Sequence, residues 1–505
     1  MIETTFETFA KATKNHRTIP VVANVFVDTM TPVEMFSAFD EEACFILESE
    51  DPLSPWSNYS FIGLHPFFKI QEQEGYFSLI NEESDMLFKE KTWTKAWDKT
   101  LEQLKPMPLD NEIPFTGGGV GYATFESLGH TEDSVMMPPA SKSYQQVMMM
   151  FCRTILAYNH KKQQLTLIYY ATIDEQRSTR EVYEQAKKEL ARTVETMRHQ
   201  QQPVQSFLPP IPDVLNVSFE GVTSNCDKET FIQNVEEVKN YIRQGDIFQA
   251  VLSQRFAKKT DVTGFQLYRV LRKLNPSPYL FYIRLGKRDV IGSSPERLVK
   301  ISANREVEIH PIAGTRPRGK NKQEDEELAD SLIEDDKERA EHFMLVDLAR
   351  NDVGRVAEYG SVNVDSLMEV GKFSHVMHLI SKVTGKLQEN IHPLDAMYSA
   401  HPAGTVSGAP KLRAIEIIQQ LEPSYRGIYS GAIAYAGFNG AIDSCIAIRT
   451  MILEDGYSYV QAGAGIVYDS IPENEWEETR NKAKALIRAV ELAEEMFLNE
   501  EVRSS

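Results

Sequence analysis

The run Tyr459–Leu486, Y-V-Q-A-G-A-G-I-V-Y-D-S-I-P-E-N-E-W-E-E-T-R-N-K-A-K-A-L, constrains this chain more than any other segment. It begins as an alternating apolar strand and ends in Gly463-Ala464-Gly465, where absent side chains let a ligand approach the backbone. A Pro-Glu-Asn turn then opens a helix. On it Glu475, Glu478, Lys482 and Leu486 follow at spacings of three, four and four, hence on one face. On an arbitrary helix such a stripe is an exposed ion-pair face. Beside a glycine-lined strand end it reads better as a site, because a buried carboxylate must be paired or bound to a metal. The expected ligand is an anion held partly through a divalent cation.

The formal net charge of −19 sharpens that expectation. It argues against nucleic acid and anionic membrane as partners. A small anion must then be met by local cations, backbone N–H groups or a metal, against the overall field. Hydrophobic and charged contents of 42% and 25% suit a globular fold, and no apolar run approaches membrane-spanning length. Cys44, Cys152, Cys226 and Cys445 stand far apart, without C-x-x-C or zinc spacing. They read as reduced, mostly buried thiols of a cytoplasmic protein. The N-terminus lacks a basic stretch followed by an apolar core, so no signal peptide is expected.

The polar, proline-rich stretch Gln200–Pro212 is the clearest seam and divides the chain into residues 1–205 and 206–505. Strand pairs are expected in both parts, Arg153–Tyr158 with Leu165–Ala171 in the first. In the second, Ser430–Gly437, Asp443–Leu453 and Tyr457–Val467 are β-rich runs separated by Asn439-Gly440 and Asp455-Gly456, strong hairpin signals. Helical patterns cover Lys228–Gln244, Glu324–Leu348, His392–Ser399, Lys411–Gln420 and Glu475–Phe497. Antiparallel sheets with outer helices give an α+β class. The cluster Gly117-Gly118-Gly119-Val120-Gly121 lacks G-x-G-x-x-G spacing and a following helix, so it reads as a tightly packed strand.

In the expected helix Glu324–Leu348, Glu338, Glu341, Leu345 and Leu348 fall on one stripe, so Glu341 sits where the helix turns apolar. With Glu478 it makes a plausible pair of oxygen ligands for Mg2+, which takes one or two carboxylates plus water and substrate. His378 lies in a strand-like segment, where a hydrogen-bonded core histidine is the commoner reading. Arg449 ends the run Cys445-Ile446-Ala447-Ile448 and offers either a packed stem or a fork for a carboxylate. Thr405 lies in His401–Lys411, a loop leading into a helix whose first N–H groups suit an anion or simple capping. Glu296 follows a strand, where exposure is the default.

Together these residues resemble the chorismate-utilising enzymes, and within them the large subunit (component I) of anthranilate synthases. The matching motifs run through most of the second part. They are Gly245-Asp246-Ile247-Phe248-Gln249, Asn275-Pro276-Ser277-Pro278-Tyr279, Ser294-Pro295-Glu296-Arg297 and Pro311-Ile312-Ala313-Gly314-Thr315-Arg316. They continue in Val346–Asp352, Pro402–Lys411 and Gln461–Lys482. The first part matches more loosely, through Leu47-Glu48-Ser49 and Tyr59–Gly63.

The resemblance implies specific roles. Glu341 and Glu478 would hold Mg2+ and through it the ring carboxylate of chorismate, with Glu338 and Glu475 as further acids near the metal. Gly314, Thr315, Tyr429, Arg449, Gly463, Ala464, Gly465 and Lys482 would hold substrate. Glu296 would be the general acid for departure of the C4 hydroxyl, which requires a raised pKa. His378 and Thr405 would be tied to catalysis, His378 orienting or deprotonating the intermediate. Two positions separate sister enzymes. Aminodeoxychorismate synthases commonly carry a nucleophilic lysine at the position of Ala313, and isochorismate and salicylate synthases a water-activating lysine at that of Gln249. A methyl and a neutral amide do neither job. The remaining nucleophile is ammonia, supplied by a glutamine amidotransferase subunit (component II) in a heterodimer or heterotetramer, since no Gly-x-Cys-x-Gly turn occurs here. The expected products are anthranilate and pyruvate. A tryptophan feedback site is implied at Glu48, Ser49, Pro278, Tyr279 and Leu280. Asn58, where relatives usually have arginine, implies weaker inhibition. The rivals are an aminodeoxychorismate synthase without its lysine, and a non-catalytic chorismate or tryptophan binder.

Overall fold

Asp455 and Gly456 both take left-handed backbone, φ 50° and 75°, and close a two-residue hairpin in which Glu454 faces Tyr457. Asn439-Gly440, with only Gly440 left-handed (φ 81°), lies in the slightly longer loop that joins the strands Ala432–Gly437 and Ile442–Ile446. These hairpins belong to a much larger construction in the computed structural model, which describes residues 2–39, 42–50, 55–132, 134–135, 137, 145–174, 176–199, 217–372 and 376–498. Among them 22 strands join one hydrogen-bonded network of antiparallel ladders, with helices packed on its outer faces.

The network crosses the division expected from the sequence. Ala43–Glu48 of the first part pairs with Tyr279–Leu285 of the second, Glu48 facing Leu280. Gly118–Ala123 lies between Val147–Asn159 and Ala432–Gly437, again joining the two parts. The seam Gln200–Pro212, and with it the boundary at 205/206, lies outside the described residues. The Gly118–Ala123 strand explains the glycine cluster. A Cβ on Gly121 would sit 1.8 Å from the Met148 carbonyl oxygen, and one on Gly119 would press Trp97 and Met149. Close backbone approach, not nucleotide binding, is what those glycines provide.

Two expected elements are broken in the structure, and both breaks matter for function. Asp443–Leu453 is not one strand but two, Ile442–Ile446 and Thr450–Glu454. The interruption is Arg449, whose left-handed φ of 51° turns the chain from the ladder with Arg297–Ile301 to that with Arg288–Ser294. Glu324–Leu348 is likewise two helices, Lys322–Glu334 and Asp336–Gly354. Asp335 between them accepts from the N–H groups of Lys337 and Glu338, and so caps the second. The other helices form near their expected ranges. Pro472–Phe497, opened by a proline in its first turn, buries Trp476, Thr479, Ala483 and Leu486 toward the strand Tyr457–Ile466 and the helix Gly264–Leu274.

Arg426 fastens this framework where the strands converge. Its guanidinium is 1% exposed and pairs with Glu422 at 2.6 Å. It also donates to the carbonyls of Val251 and Val406, at 2.6 and 2.7 Å. Glu422 accepts in addition from the N–H and hydroxyl of Ser253, both at 2.8 Å. From the first part, the buried Glu126 carboxylate accepts the backbone N–H groups of Arg426 and Gly427. Arg426→Met strands the Glu422 carboxylate in the interior. It is expected to cost about 3–5 kcal/mol of unfolding free energy in urea denaturation, and the double change with Glu422→Met less.

Candidate active site

The strand Tyr457–Ile466 and its partner Gln249–Lys259 line a cleft of about 770 Å3, flanked by the helices Asp336–Gly354 and Pro472–Phe497. Gly463 and Gly465 face into it. A Cβ on Gly463 would stand 2.8 Å from the Tyr429 hydroxyl, and one on Gly465 would stand 2.7 Å from Nε2 of Gln249. The glycines thus let Tyr429 and Gln249 reach the cleft floor. Ala464, between them, points the other way. Its methyl is fully buried among Phe231, Val235 and Trp476, so only its backbone belongs to the site.

Two cations stand over this floor. Lys482 donates to the Gly463 carbonyl at 3.0 Å and pairs with Glu478 at 2.7 Å. Arg449, held in its strained backbone conformation, donates from one end of its fork to the Lys482 carbonyl at 2.6 Å. Burial lowers the Arg449 pKa, as expected for a charge poised to gain from an anionic partner.

Opposite them is Glu296. Part of its carboxyl opens to the cleft, but the surroundings are dense protein, and burial raises its pKa to about 7. Lys482 and the Thr405 hydroxyl temper that rise. The Thr405 contact is loose, for its buried oxygen makes no hydrogen bond within 3.5 Å. A carboxyl protonated near neutral pH is a proton donor in waiting.

The acids gather on the helix side. Glu341, Glu475 and Glu478 line the cleft, and Glu338 lies one turn from Glu341. Burial first, then Glu338 and Glu478, push the Glu341 carboxyl above its ordinary range, while Lys337 and Lys482 oppose them. Glu475 is raised by burial and by Glu478 against a hydrogen bond from Ser470. Among the described residues no three His, Cys, Asp or Glu side chains close into a metal-holding group. Glu341 and Glu478 reach the cleft from two helices and are oxygen donors of the type Mg2+ takes alongside water and ligand oxygens.

The stripe presented by Asp336–Gly354 differs from the expected one. Lys337, Ala340, Glu341 and Met344 face the cleft. Glu338 turns toward Gly314 and Arg316, Leu345 is buried, and Leu348 rests against Gly404. The reason is that this helix packs on the strands Ile312–Pro317 and Val376–Lys386, which fixes its rotation. Lys337 was therefore missed, although its spacing to Glu341 was readable.

Those two strands carry the remaining candidates. Ala313, Gly314, Thr315 and His378 sit outside the cleft lining, bordering it through Glu338, whose carboxylate would lie 3.1 Å from a Cβ on Gly314. His378 Nδ1 is 2.7 Å from the Gly314 carbonyl and 3.2 Å from the Thr315 hydroxyl. Both contacts fall on Nδ1, so they fix the orientation of the ring. Gly314 and Thr315 here orient His378 rather than line the cleft. Gln249 lines the cleft and Ala313 does not.

A second, narrower cavity contains Glu48, Ser49, Pro278, Tyr279 and Leu280 together, drawn from both parts of the chain. The Glu48 carboxylate is committed elsewhere. Ser60, Tyr268 and Arg272 bond it, and none of them lines the cavity. The polar side chains offered beside Ser49 include Arg297, Asp443 and Tyr279, whose hydroxyl donates to Asp443 at 2.9 Å. Arg297, the last residue of the Ser294–Arg297 motif, and Asp443 lie in separate strands, and no sequence spacing joined them to this cavity.

Residues 42–488 match the family described as chorismate binding enzymes. The chain is 48% identical over 494 residues to anthranilate synthase component 1 of Geobacillus stearothermophilus, covering 97% of each. It is 47% identical to the Bacillus subtilis (strain 168) protein of the same name, over 98% of this chain and 96% of that one. The solved structure of anthranilate synthase component I from Streptococcus pneumoniae TIGR4 superposes with a TM-score of 0.71 at 34% identity. That match covers 92% of this chain and 99% of the other.

Gly465→Ala tests the glycine floor. The intruding Cβ meets only the movable Gln249 amide, so the fold should tolerate it. Displacing groups in a cleft by about 1 Å costs up to 10²-fold in activity. A melting temperature within a few degrees of the parent, with catalytic efficiency sharply reduced, is the expected pair of results.

Proposed function

The chain belongs to the chorismate binding enzymes, and from its place beside their anthranilate synthase component 1 members we propose that it converts chorismate and ammonia to anthranilate and pyruvate. One observation carries the reading. A single carboxyl with a pKa near 7, Glu296, faces two cations and a group of metal-suited acids across one glycine-floored cleft. Arg449 and Lys482 supply the anion grip that a chain of net charge −19 needs. Glu341 and Glu478 would hold Mg2+, which when bound supplies positive charge for the ring carboxylate.

Protonated Glu296 donates to the C4 oxygen as the C4–O bond breaks, and water leaves. The lone pair of ammonia forms the new bond at C2 while the ring double bonds shift. The new ammonium group gives up a proton. Loss of the C2 proton then expels enolpyruvate as the C3–O ether bond breaks, which completes the aromatic ring. Protonation of the released enolpyruvate at its methylene carbon gives pyruvate. His378, held by Gly314 and Thr315 at the border of the cleft, is proposed to orient the intermediate or take the C2 proton. No lysine stands at Gln249 or Ala313 to offer a competing nucleophile. The chain lacks a glutaminase nucleophile motif, so a component II amidotransferase is proposed as the ammonia source in a hetero-oligomer. Four free, buried cysteines suit a cytoplasmic setting. The second cavity is proposed to bind tryptophan as a feedback inhibitor.

The deciding experiment is a product assay with chorismate, ammonia and Mg2+. Fluorescent anthranilate forming directly supports the reading, and a product that needs a separate lyase to become aromatic refutes it. Only the protonated Glu296 donates, and its pKa is raised from the ordinary carboxylate range to about 7. kcat/KM, corrected for the fraction of free NH3, should therefore hold below pH 7 and fall as pH rises through it. Glu296→Gln should erase that limb and lower kcat/KM by about 10²–10⁴-fold. Chelation should abolish turnover and Mg2+ restore it. Glu341→Gln should weaken metal binding, followed by calorimetry, by at least the ~10–100-fold that loss of an outer-shell partner costs. Ser49→Ala should relieve inhibition by tryptophan.

A further inference from the structure

The turn that carries Glu296 is also a wall of the second cavity. Pro295 and Glu296 line the cleft, and the next residue, Arg297, lines the cavity. The neighbouring strand repeats the arrangement. Cys445, in register with Arg297, faces the cavity, and Ile448 and Arg449 just beyond it face the cleft. Three hydrogen bonds stitch these segments together. Ile446 N donates to the Glu296 carbonyl at 3.0 Å, the Ser294 hydroxyl to the Ile446 carbonyl at 2.7 Å, and Ser293 N to the Arg449 carbonyl at 3.1 Å. Asn275, from the motif that supplies Pro278 and Tyr279, donates to the Ser293 hydroxyl at 3.0 Å. Arg297 is one peptide from this bonded stretch, and the ladder it enters is irregular between Arg297 and Val299, so a displaced Arg297 bears directly on residue 296.

The Arg297 side chain is the polar end of the cavity. Its Nε donates to the Tyr279 hydroxyl at 2.8 Å, and that hydroxyl donates to Asp443. The guanidinium also bonds Glu308 and stands 3.3 Å from His310. An occupant touching Tyr279 therefore acts on a buried chain of polar groups whose first member is one peptide from the proton donor.

We propose that Arg297 is a positioning residue that transmits occupation of the second cavity to the Glu296 carboxyl, so that the inhibitor acts by displacing the proton donor and not by filling the cleft. This rests on the reading of that cavity as an inhibitor site. By reciprocity, a correctly seated Glu296 and its substrate disfavour the occupant. Thr405 and Lys482 act most directly on Glu296, with Arg449, Lys337, Glu341, Glu475 and Glu478 in the same cleft. His310 and Asp352 line a small cavity on its other side. Those facing Arg297 are Tyr279, Asp443, Glu308 and His310.

Two variants of the full chain test it. Tyr279→Phe keeps the ring but removes the hydroxyl that bridges Arg297 Nε and Asp443, leaving only their direct pair at 3.9 Å. Arg297→Lys keeps the charge but loses the fork. Tryptophan binding by calorimetry, inhibition at saturation, and the pH profile of kcat/KM are measured for both. Tyr279→Phe should still bind tryptophan while its residual activity at saturation rises by about fivefold or more, the lower end of ordinary coupling. Arg297→Lys without tryptophan should move the falling limb away from pH 7, which a merely structural role would leave in place while lowering kcat. Full inhibition in Tyr279→Phe together with an unmoved limb in Arg297→Lys overturns the proposal but leaves the inhibitor site standing. A parent protein that binds no tryptophan removes both.

Discussion

One buried guanidinium holds the site together. Arg426 reaches Val251 on one strand of the cleft, Val406 beside Thr405, and Glu422, which in turn fixes Ser253. Its own backbone begins the turn that presents Tyr429, and Glu126 from the first part of the chain accepts the N–H groups of that turn. Val251, Val406 and the nearby Glu422 therefore meet on one side chain with its donors used, while Glu126 holds the same residue's backbone. A buried ion pair is a poor source of net stability, but removing one partner is costly. Its role here is geometric. It sets where Tyr429, Thr405 and the glycine strand stand relative to one another.

Around that anchor the electrostatics oppose the bulk of the molecule. The chain as a whole repels anions, yet the mostly buried Arg449 and the half-exposed Lys482 stand over a floor stripped of side chains, where an anion meets cations at short range. Coulomb attraction grows as the local dielectric falls, so two well-placed cations outweigh a diffuse surface charge that salt screens within about 10 Å. The same burial keeps the Glu296 proton near neutral pH. Grip and proton donor thus share one cause.

Much of this was legible in the chain. Glycine positions, the Glu475–Lys482 stripe and both Asx-Gly hairpins follow from local rules whose range is a few residues, and each recurs in the structure. The motifs carried the resemblance to chorismate-utilising enzymes, and the family match over residues 42–488 agrees with it. What failed was rotation and continuity. The stripe facing the cleft from Asp336–Gly354 is Lys337, Ala340, Glu341 and Met344, because neighbouring strands choose which face of an amphipathic helix turns inward. A continuous apolar pattern through Asp443–Leu453 hid the break at Arg449, since hydrophobic periodicity carries no signal of a single left-handed residue.

The sequence by itself determined the ingredients: an acidic α+β chain, a glycine-floored strand next to a charged helix, and acids and cations enough for a dicarboxylate. Only the tertiary structure decided their company. It set Glu296 in a dense wall, so that an ordinary carboxyl became one that titrates near 7. It sent Gly314 and Thr315 to His378, and spent the Glu48 carboxylate on Ser60, Tyr268 and Arg272. It also put Arg297 and Glu296 on opposite sides of one shared wall. Desolvation and pairing depend on which distant segments pack together. That is a property of the folded sheet and of no local stretch of residues.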